Sequence, residues 1–239
     1  MKGLAPPLRA CLGLALALGC ATPAAGPQSA APANGLANGS FELGREPWFD
    51  FVDPKKPYWG SFEISDAQAF EGRHSMRLAL DSDDFAAASI GVGIAGAAQD
   101  LAPERFPRRL AGRYRVESWQ RGTAKQYLQL VLMAFLPENF PEMGELAVQI
   151  GFVLAGVREP PTPIRNRRFV FLGPYAPETG RWIAFDIDLH EAYRTQWGKV
   201  PENTKGIRLF AEARFDGYRR GRDGRALADV YFDALHLGD

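Results

Sequence analysis

The sequence predicts an all-β sandwich of two antiparallel sheets. Short apolar or alternating segments recur from residue 58 to residue 237, separated by turns rich in Gly, Pro, Asn and Asp. Only one short segment between them has helical periodicity. Many short strands without long helices favour two sheets packed face to face, and about 200 residues suffice to bury one core.

The amino-terminal element is predicted to be a lipoprotein signal peptide. Lys2 and Arg9 precede an apolar run from Ala10 to Gly19, which ends at Cys20. A charged start, an apolar run of about 7–15 residues and a small residue before cleavage define a secretory signal. Residues 17–20, Ala-Leu-Gly-Cys, resemble a lipobox with Ala and Leu interchanged. We therefore expect residues 1–19 to be removed and Cys20 to carry a lipid such as palmitate.

This signal predicts a location in the cell envelope, with the lipid holding the protein to a membrane. Ala21 after the lipidated cysteine is compatible with the outer membrane where the source has two membranes. Two alternatives remain open: cleavage at a later alanine among residues 21–25, or an uncleaved anchor. The apolar run is shorter than the about 20 residues that a membrane span needs.

The charge balance of the mature chain excludes a large nucleic-acid-binding surface. Loss of Lys2 and Arg9 leaves 26 basic against 28 acidic side chains, without the clustered basic excess typical of such proteins. The small cluster Arg165, Arg167 and Arg168 is interpreted as a solvated loop. Cys20 is the only cysteine left after cleavage, so we expect no disulfide within the chain.

Residues 20–37 are predicted to form the lipidated start and a flexible tether, and residues 38–239 one domain. The tether consists of Ala, Pro, Gly, Ser, Gln, Asn and similar small residues, with Leu36 as its only large apolar side chain. Such a composition cannot bury enough surface to offset ordering.

The domain is predicted to contain ten strands and one helix. Leu189 to Trp197 has apolar residues at helical spacing and is the predicted helix. The predicted strands are 58–65, 75–80, 87–94, 113–119, 126–136, 146–154, 168–172, 182–189, 207–215 and 230–237.

Four segments of the domain resemble jelly-roll carbohydrate-binding modules of the kind attached to xylanases and cellulases. They are Asn38 to Glu42 with Glu71 to Leu78, Tyr114 to Gly122, and Val230 to Leu237. The resemblance implies a jelly-roll sandwich and a glycan ligand. This chain is longer than those modules and has additional residues at 102–109, 137–145, 159–167 and in the helix.

The same resemblance implies a structural calcium ion near the chain ends. Glu42 and Asp233 are the matching acids, and the loop from Glu71 to His74 would supply carbonyl oxygens. Ca²⁺ takes about 6–8 oxygen ligands at about 2.3–2.6 Å. In the alternative, both carboxylates accept backbone hydrogen bonds or pair with Arg77.

Strand alternation predicts which side chains leave the core and could meet a glycan. Successive side chains point to opposite faces. Aromatic rings stack on sugar rings, while amides and charged groups take the hydroxyls. If the strands lie in one sheet, its concave surface is a polar cleft with nine candidate ligand residues: Arg115, Glu117, Trp119, Tyr127, Gln129, Gln149, Trp182, Arg208 and Glu212. In the alternative, these charges form cross-strand ion pairs on a solvated face.

No catalytic motif is recognisable, so the expected role is non-catalytic. His74, His190 and His236 lack metal-ligand spacing, and there is no nucleophile elbow. A uronate polysaccharide lyase is a second alternative, because such chemistry uses residues like Tyr127, Gln129, Gln149 and Arg115. A structural role in the envelope, or binding of a protein partner through Met133, Phe210 and the insertions, remains a further alternative with the same fold.

Overall fold

The computed structural model describes residues 34–85 and 91–239, which form two packed β-sheets and one short helix. The predicted signal, Cys20 and most of the predicted tether lie outside the described residues. The all-β sandwich with one short helix is therefore confirmed.

The strands in chain order are β1 Trp59–Gly60, β2 Glu63–Ser65, β3 Ser75–Asp81, β4 Gly93–Leu101, β5 Arg109–Gln120, β6 Lys125–Ala134, β7 Val148–Ala155, β8 Arg167–Phe171, β9 Trp182–Asp188, β10 Ile207–Asp216 and β11 Leu227–Gly238. A 3₁₀ turn, Pro141–Met143, precedes β7, and helix α1, Leu189–Trp197, follows β9.

The two sheets interleave distant parts of the chain. One has six strands in the order β1-β4-β10-β6-β7-β8, and the other has five in the order β2-β3-β11-β5-β9. Pairing is antiparallel except at the two edges of the larger sheet, where β1 runs parallel to β4 and β8 parallel to β7. Every neighbouring pair in the five-stranded sheet is antiparallel.

The core lies between the sheets and contains the side chains that alternation placed inward. On β10 the inward residues Ile207, Leu209, Ala211, Ala213 and Phe215 are all buried. On β9, Phe185 and Ile187 are buried in the same cluster, and Ile183 packs against it. These inward positions are the ones that strand alternation predicts, because Trp182, Arg208 and Glu212 were assigned outward.

Two predicted strands differ from the structure in a way that packing explains. The predicted strand 58–65 is split, because Phe62 turns into the core and sends β1 and β2 to different sheets. Residues 87–90 of the predicted strand 87–94 lie outside the described residues, and the described part joins β4, which begins at Gly93, continues to Leu101 and is built largely from Ala and Gly. A side chain at Gly96 would lie 2.9 Å from the carbonyl oxygen of Ala211, so this crowded strand carries little apolar signal.

The folded body begins before the predicted boundary at residue 38. Asn34 Oδ1 accepts the N–H groups of Leu36 and Leu237, and its Nδ2 donates to the carbonyl of Leu235. Leu36 is buried in the core. Residues 34–37 are therefore held against β11, and their assignment to a flexible tether is wrong.

Helix α1 closes one end of the sandwich. Tyr193 is fully buried and donates its hydroxyl to the carbonyl of Leu132 on β6. Trp197 packs edge-on against Phe140 in the loop before β7. No helix among the described residues is long and apolar enough to cross a membrane.

Candidate ligand-binding face

The nine predicted ligand residues lie on two different sheets. Five belong to the six-stranded sheet: Tyr127, Gln129, Gln149, Arg208 and Glu212. Four belong to the five-stranded sheet: Arg115, Glu117, Trp119 and Trp182. Outward side chains of the two sheets face opposite sides of a sandwich, so the single cleft built from all nine residues is wrong.

On the six-stranded sheet, a buried polar network occupies the outer face. Tyr127 donates its hydroxyl to Asp216 Oδ2 at 2.6 Å, and Gln129 Nε2 donates to Glu212 Oε2 at 2.6 Å. Arg214 donates to Asp216 Oδ1 at 2.8 Å, and its Nη1 lies 3.9 Å from Glu212 Oε2. We call these five side chains the polar network.

Cross-strand register brings the polar network together. Glu212 pairs with Gln129, and Arg214 pairs with Tyr127, in the antiparallel ladder of β10 and β6. Paired residues on one face have Cβ atoms about 4.5–5.5 Å apart, which suits a direct hydrogen bond between long side chains. Asp216 extends the same face by two residues along β10.

Aromatic side chains flank the polar network on both sides. One cluster contains Phe49, Phe51 and Trp59 packed on Phe210. Phe51 stacks on Phe210 with 5.5 Å between ring centroids, so Phe210 is buried although alternation places it outward. Phe49 bridges to Ala98 on β4, which holds this segment over the face. That half of the predicted cleft is therefore covered.

The second aromatic cluster lies on β8 and borders the network at Tyr127. Phe169 and Phe171 are half-buried and nearly parallel, with an interplanar angle of 20° and centroids 6.4 Å apart. They project on the outer side of the edge strand, two residues apart. These rings, rather than the predicted Trp119 and Trp182, are the exposed aromatic surface beside the polar network.

Burial sets the electrostatics of the network. Burial, together with Asp216 and Glu212, raises the pKa of Tyr127 well above its usual value and outweighs the lowering by Arg214. Although burial alone would lower it, Tyr127, Glu212 and Asp216 hold the pKa of Arg214 above its ordinary value. Arg214 therefore stays charged, and Tyr127 stays protonated.

One acceptor of the network has no partner. Gln129 Oε1 is buried and accepts no hydrogen bond from the described residues, whereas Gln129 Nε2 is bound to Glu212. A buried polar atom without a partner costs about 1–3 kcal/mol. Gln129 Oε1 is thus a buried, unpartnered acceptor, whereas Arg214, whose side chain is 14% exposed, is the most accessible group of the polar network.

The other predicted residues of this sheet have structural partners. Arg208 is held by both carboxylate oxygens of Asp100 and lies 5.3–5.8 Å from four ring centroids, among them Phe51 and Phe210. Its guanidinium therefore braces the covering aromatic cluster. Gln149 Oε1 accepts a hydrogen bond from Arg167 Nε at 2.8 Å.

The outer face of the five-stranded sheet is a solvated surface of paired charges. Arg115 Nε lies 2.7 Å from Glu117 Oε2, and Arg109 donates to both oxygens of Asp186. Ion pairs of the kind offered as the alternative are thus present here. Trp182 contacts the exposed ring of Phe70 edge-on at 6.0 Å.

Trp119 does not point outward as predicted. A β-bulge at Glu117 shifts the register of β5, because Asp229 pairs with Ser118 whereas Val230 pairs with Val116. The extra residue reverses the alternation beyond it. Trp119 therefore stands opposite buried Ala228 and packs against the core. The sequence shows no signal for this bulge.

Three aromatic residues that were not predicted as ligand residues pack against other aromatic rings: Trp48, Tyr58 and Trp59. Trp48 is buried against Phe41, and Trp59 belongs to the covering cluster. Alternation also places the network members Arg214 and Asp216 outward on β10, like Glu212, but it gives no reason to choose them as ligand residues. Cross-strand pairing with Tyr127 and Gln129 is the missing signal.

Glu42 and Asp233 both point at the loop that the calcium hypothesis required, but they meet its N–H groups. Glu42 Oε1 accepts from the amides of Arg73 and His74 at 2.9 and 2.8 Å. Asp233 Oδ2 accepts from the amides of Phe70 and Glu71, and its Oδ1 from Ala234. A cation needs oxygens, so this donor set does not fit calcium as it is arranged. Among the described residues no group of three acidic, His or Cys side chains could hold a metal.

Asp186 and Asp188, a carboxylate pair on one strand face, are each held by an arginine. Arg109 binds Asp186 and holds the pKa of its carboxyl below the usual range. The N–H of Glu191, with Arg108, lowers the pKa of Asp188. Neither carboxyl therefore suits a general acid. Likewise, the raised pKa of Tyr127 opposes its use as a base.

Comparisons with known proteins give structural neighbours only. No protein-family model matches the chain, and no curated protein matches it. Among solved structures, the carbohydrate-binding module TmCBM61 in complex with beta-1,4-galactotriose is 14% identical with a TM-score of 0.43, and the match covers 86% of this chain and 97% of that one.

Two further neighbours are also carbohydrate-binding modules. CBM28, specific for non-crystalline cellulose, is 11% identical with a TM-score of 0.41, covering 87% of this chain and 96% of that one. The CBM22-1 xylan-binding domain from Paenibacillus barcinonensis Xyn10C is 13% identical with a TM-score of 0.39, covering 88% and 97%. At these values the alignments assign no ligand to the chain.

Proposed function

We propose that this chain is a non-catalytic glycan-binding domain whose ligand lies on the outer face of the six-stranded sheet. The observation that carries the proposal is the polar network beside the aligned rings of Phe169 and Phe171. Polysaccharides present apolar ring faces and hydroxyl edges at once. A site for them needs aromatic platforms next to fixed donors and acceptors.

Each part of this face supplies one of those needs. Phe169 and Phe171 are half-buried, so their free faces can stack on consecutive sugar rings. Arg214, whose side chain is 14% exposed, offers a hydrogen-bond donor to a ligand on this face. The ion pairs of the network hold these groups in place before the ligand arrives, which limits the entropy cost of binding.

We also propose that the protein is anchored to an envelope membrane by a lipid on Cys20. The support is the sequence pattern of residues 1–20. In the native host, wild-type protein would incorporate a labelled fatty acid and partition with membranes, and a Cys20→Ala variant would do neither. Labelling of the Cys20→Ala variant would contradict the assignment.

The binding experiment compares matched aromatic variants on the two outer faces. The full-length protein and its Phe171→Ala and Phe70→Ala variants would be screened against neutral and acidic polysaccharides by affinity electrophoresis. We expect Phe171→Ala to weaken binding about tenfold, as loss of a stacking contact of roughly 1–1.5 kcal/mol implies. Phe70 is 44% exposed on the opposite face, and its loss should leave binding unchanged.

Three results would contradict the proposal. A folded protein that binds no glycan would refute glycan binding itself. Binding weakened by Phe70→Ala or Trp182→Ala, but not by Phe171→Ala, would move the ligand to the five-stranded sheet. Cleavage of a bound polysaccharide during the assay would refute the non-catalytic role and favour a lyase.

A further inference from the structure

A cavity lined by three arginines borders the proposed glycan face. It measures about 450 Å³ and lies around the edge strand β8. Arg165, Arg167 and Arg168 line it together with Phe169 and Gln196. The remaining lining residues are Pro160, Thr162, Pro163 and Ile164, so no acidic side chain lines the cavity. The sequence-based interpretation of these arginines as a solvated loop did not include this cavity.

None of the three arginines pairs with a carboxylate among the residues that the structure describes. Arg165 donates to the backbone carbonyl of Glu142 at 3.0 Å, and Arg167 to the amide oxygen of Gln149 at 2.8 Å. Arg168 donates to the carbonyls of Arg165 and Arg167, both at 3.2 Å, and its guanidinium stacks on Trp197 at 4.0 Å. All of these partners are neutral.

The nearby acidic side chains are already paired elsewhere. The carboxylate of Glu142 lies 3.2 Å from Lys199 Nζ. Glu212 and Asp216 are bound within the polar network, by Gln129 and by Tyr127 and Arg214. Other arginines of the outer faces, such as Arg208 and Arg109, have bidentate carboxylate partners. The arginine cavity is therefore a concentration of positive charge whose hydrogen-bond partners are all neutral, and Glu212 and Asp216 act on Arg167 from the neighbouring polar network without bonding to it.

Burial has the strongest effect on the charge of Arg167. The largest effect on Arg167 is burial, which lowers the pKa of its guanidinium, although Glu212 raises it. A desolvated cation without a bound anion is unfavourable, and an anion whose oxygens accept hydrogen bonds from the guanidinium fork offsets the cost. Carboxylates, sulfates and phosphates all have this geometry.

We propose that the arginine cavity receives the negatively charged substituent of an acidic glycan. The inference rests on the proposed function and names the class of ligand. Phe169 lines both the cavity and the aromatic surface, and Arg167 reaches Gln149 on the outer face. A sugar ring stacked on Phe169 would thus place a carboxylate, sulfate or phosphate beside Arg167.

The test removes the charge of the cavity and measures discrimination between acidic and neutral glycans. The full-length protein, a double variant Arg165→Gln/Arg167→Gln and a control variant Arg181→Gln would be titrated with oligogalacturonate, a sulfated galactan oligosaccharide and neutral galacto-oligosaccharides. Arg181 is an exposed arginine paired with Glu178 away from the cavity, so it controls for lost charge. Melting curves would confirm that each variant is folded.

We expect wild type to prefer one acidic glycan and to bind it more weakly as salt is raised. The double variant should lose about ten- to hundredfold in affinity for that glycan, as loss of charged hydrogen bonds implies. Its affinity for neutral oligosaccharides should be unchanged, and Arg181→Gln should behave as wild type. Preference for uronate over sulfate, or the reverse, identifies the anionic group.

Different results would overturn the arginine cavity proposal and the glycan-binding proposal. Equal affinity for neutral and acidic oligosaccharides, unchanged in the double variant, would overturn the arginine cavity and leave glycan binding standing. An equal loss of acidic binding in Arg181→Gln would also overturn it, because net charge alone would then explain the preference. No binding to any oligosaccharide by folded protein would overturn both.

Discussion

Glu42 and Asp233 lie at the same loop but have opposite pKa shifts. The amide N–H groups of His74 and Arg73 hold the pKa of Glu42 below its ordinary value. Burial raises the pKa of Asp233 despite its bonds from Glu71, Phe70 and Ala234. Amide donors favour the charged form, whereas desolvation disfavours it. Exposure at Glu42 and burial at Asp233 thus decide which effect dominates.

The lowered pKa of Glu42 predicts a pH-dependent contribution to stability. Because the folded pKa lies below the unfolded one, near 4.5, the contribution is present above that pH and is lost as pH falls through the folded pKa. Glu42→Gln should lower the melting temperature at neutral pH, and the difference from wild type should shrink as the pH falls from neutral to below 4.5. A difference of constant size across that range would contradict this account.

The same carboxylates predict how the protein responds to calcium. Because their oxygens accept backbone N–H groups, we expect the melting temperature to be equal in calcium and in chelator. Differential scanning calorimetry would measure it. A rise of several degrees in calcium would show that the loop can turn its carbonyls towards Glu42 and Asp233, as the family resemblance implies.

A comparison of Trp119 and Trp182 shows how the orientation of a tryptophan side chain affects stability. Trp119 packs on the core, and Trp182 lies on the solvated outer face. Trp119→Ala should lower the free energy of unfolding by about 2–4 kcal/mol, since it leaves a cavity. Trp182→Ala should cost less than about 1 kcal/mol. Urea denaturation measures both, and equal costs would contradict the bulge in β5.

At the scale of elements, α1 shows how local signals define a helix. Asp188 caps its amino end, because Oδ1 accepts the N–H of Glu191 at 2.8 Å. Gly198 ends it in the left-handed region with φ of 77°, where glycine is favoured. Both signals are adjacent to the helix, which explains why its predicted bounds agree with the structure.

The cap can be separated from the ion pairs around it. Asp188→Ala removes the cap together with an exposed pair to Arg108, and should cost about 0.5–2 kcal/mol of stability, mostly through the cap. Asp186→Ala, two residues earlier, removes only an exposed pair with Arg109 and should cost about 0.2–1 kcal/mol. Chemical denaturation would compare them. A larger loss for Asp186→Ala would show that the surface pair, not the cap, stabilises this segment.

At the scale of the whole molecule, the beginning and end of the described body are joined by Asn34. Its side chain makes three hydrogen bonds, two of them to β11, and Gly35 donates to the carbonyl of Leu237. The neighbouring Leu36 adds apolar burial. This contact spans about 200 positions in sequence. It therefore couples any force on the amino-terminal segment to the core.

Removal of the Asn34 side chain should measure that coupling. Asn34→Ala leaves the N–H of Leu237 and the carbonyl of Leu235 without these partners, so we expect a loss of about 1–3 kcal/mol. Asn203→Ala, which removes one exposed side-chain contact with Glu138, should change stability by less than about 0.5 kcal/mol. Equal effects in urea denaturation would show that residues 34–37 contribute little to folding.

The sequence by itself determined the all-β class, the helix at Leu189–Trp197 and the inward faces of β9 and β10. Alternation and helix capping are local properties, so neighbouring residues are enough to predict them. Tyr127, Gln129 and Glu212 were predicted to share one surface for the same reason, and the structure brings them together.

Only the tertiary structure decided which strands share a sheet, where Trp119 points and what covers the outer face. Strand order joins segments far apart in the chain, and the bulge at Glu117 depends on β11, which comes more than 100 residues later. The covering by Phe49 and Phe51 and the arginine cavity are likewise made by loops folding back on distant strands. A local pattern carries no information about such contacts, because each depends on the partner that packs against it.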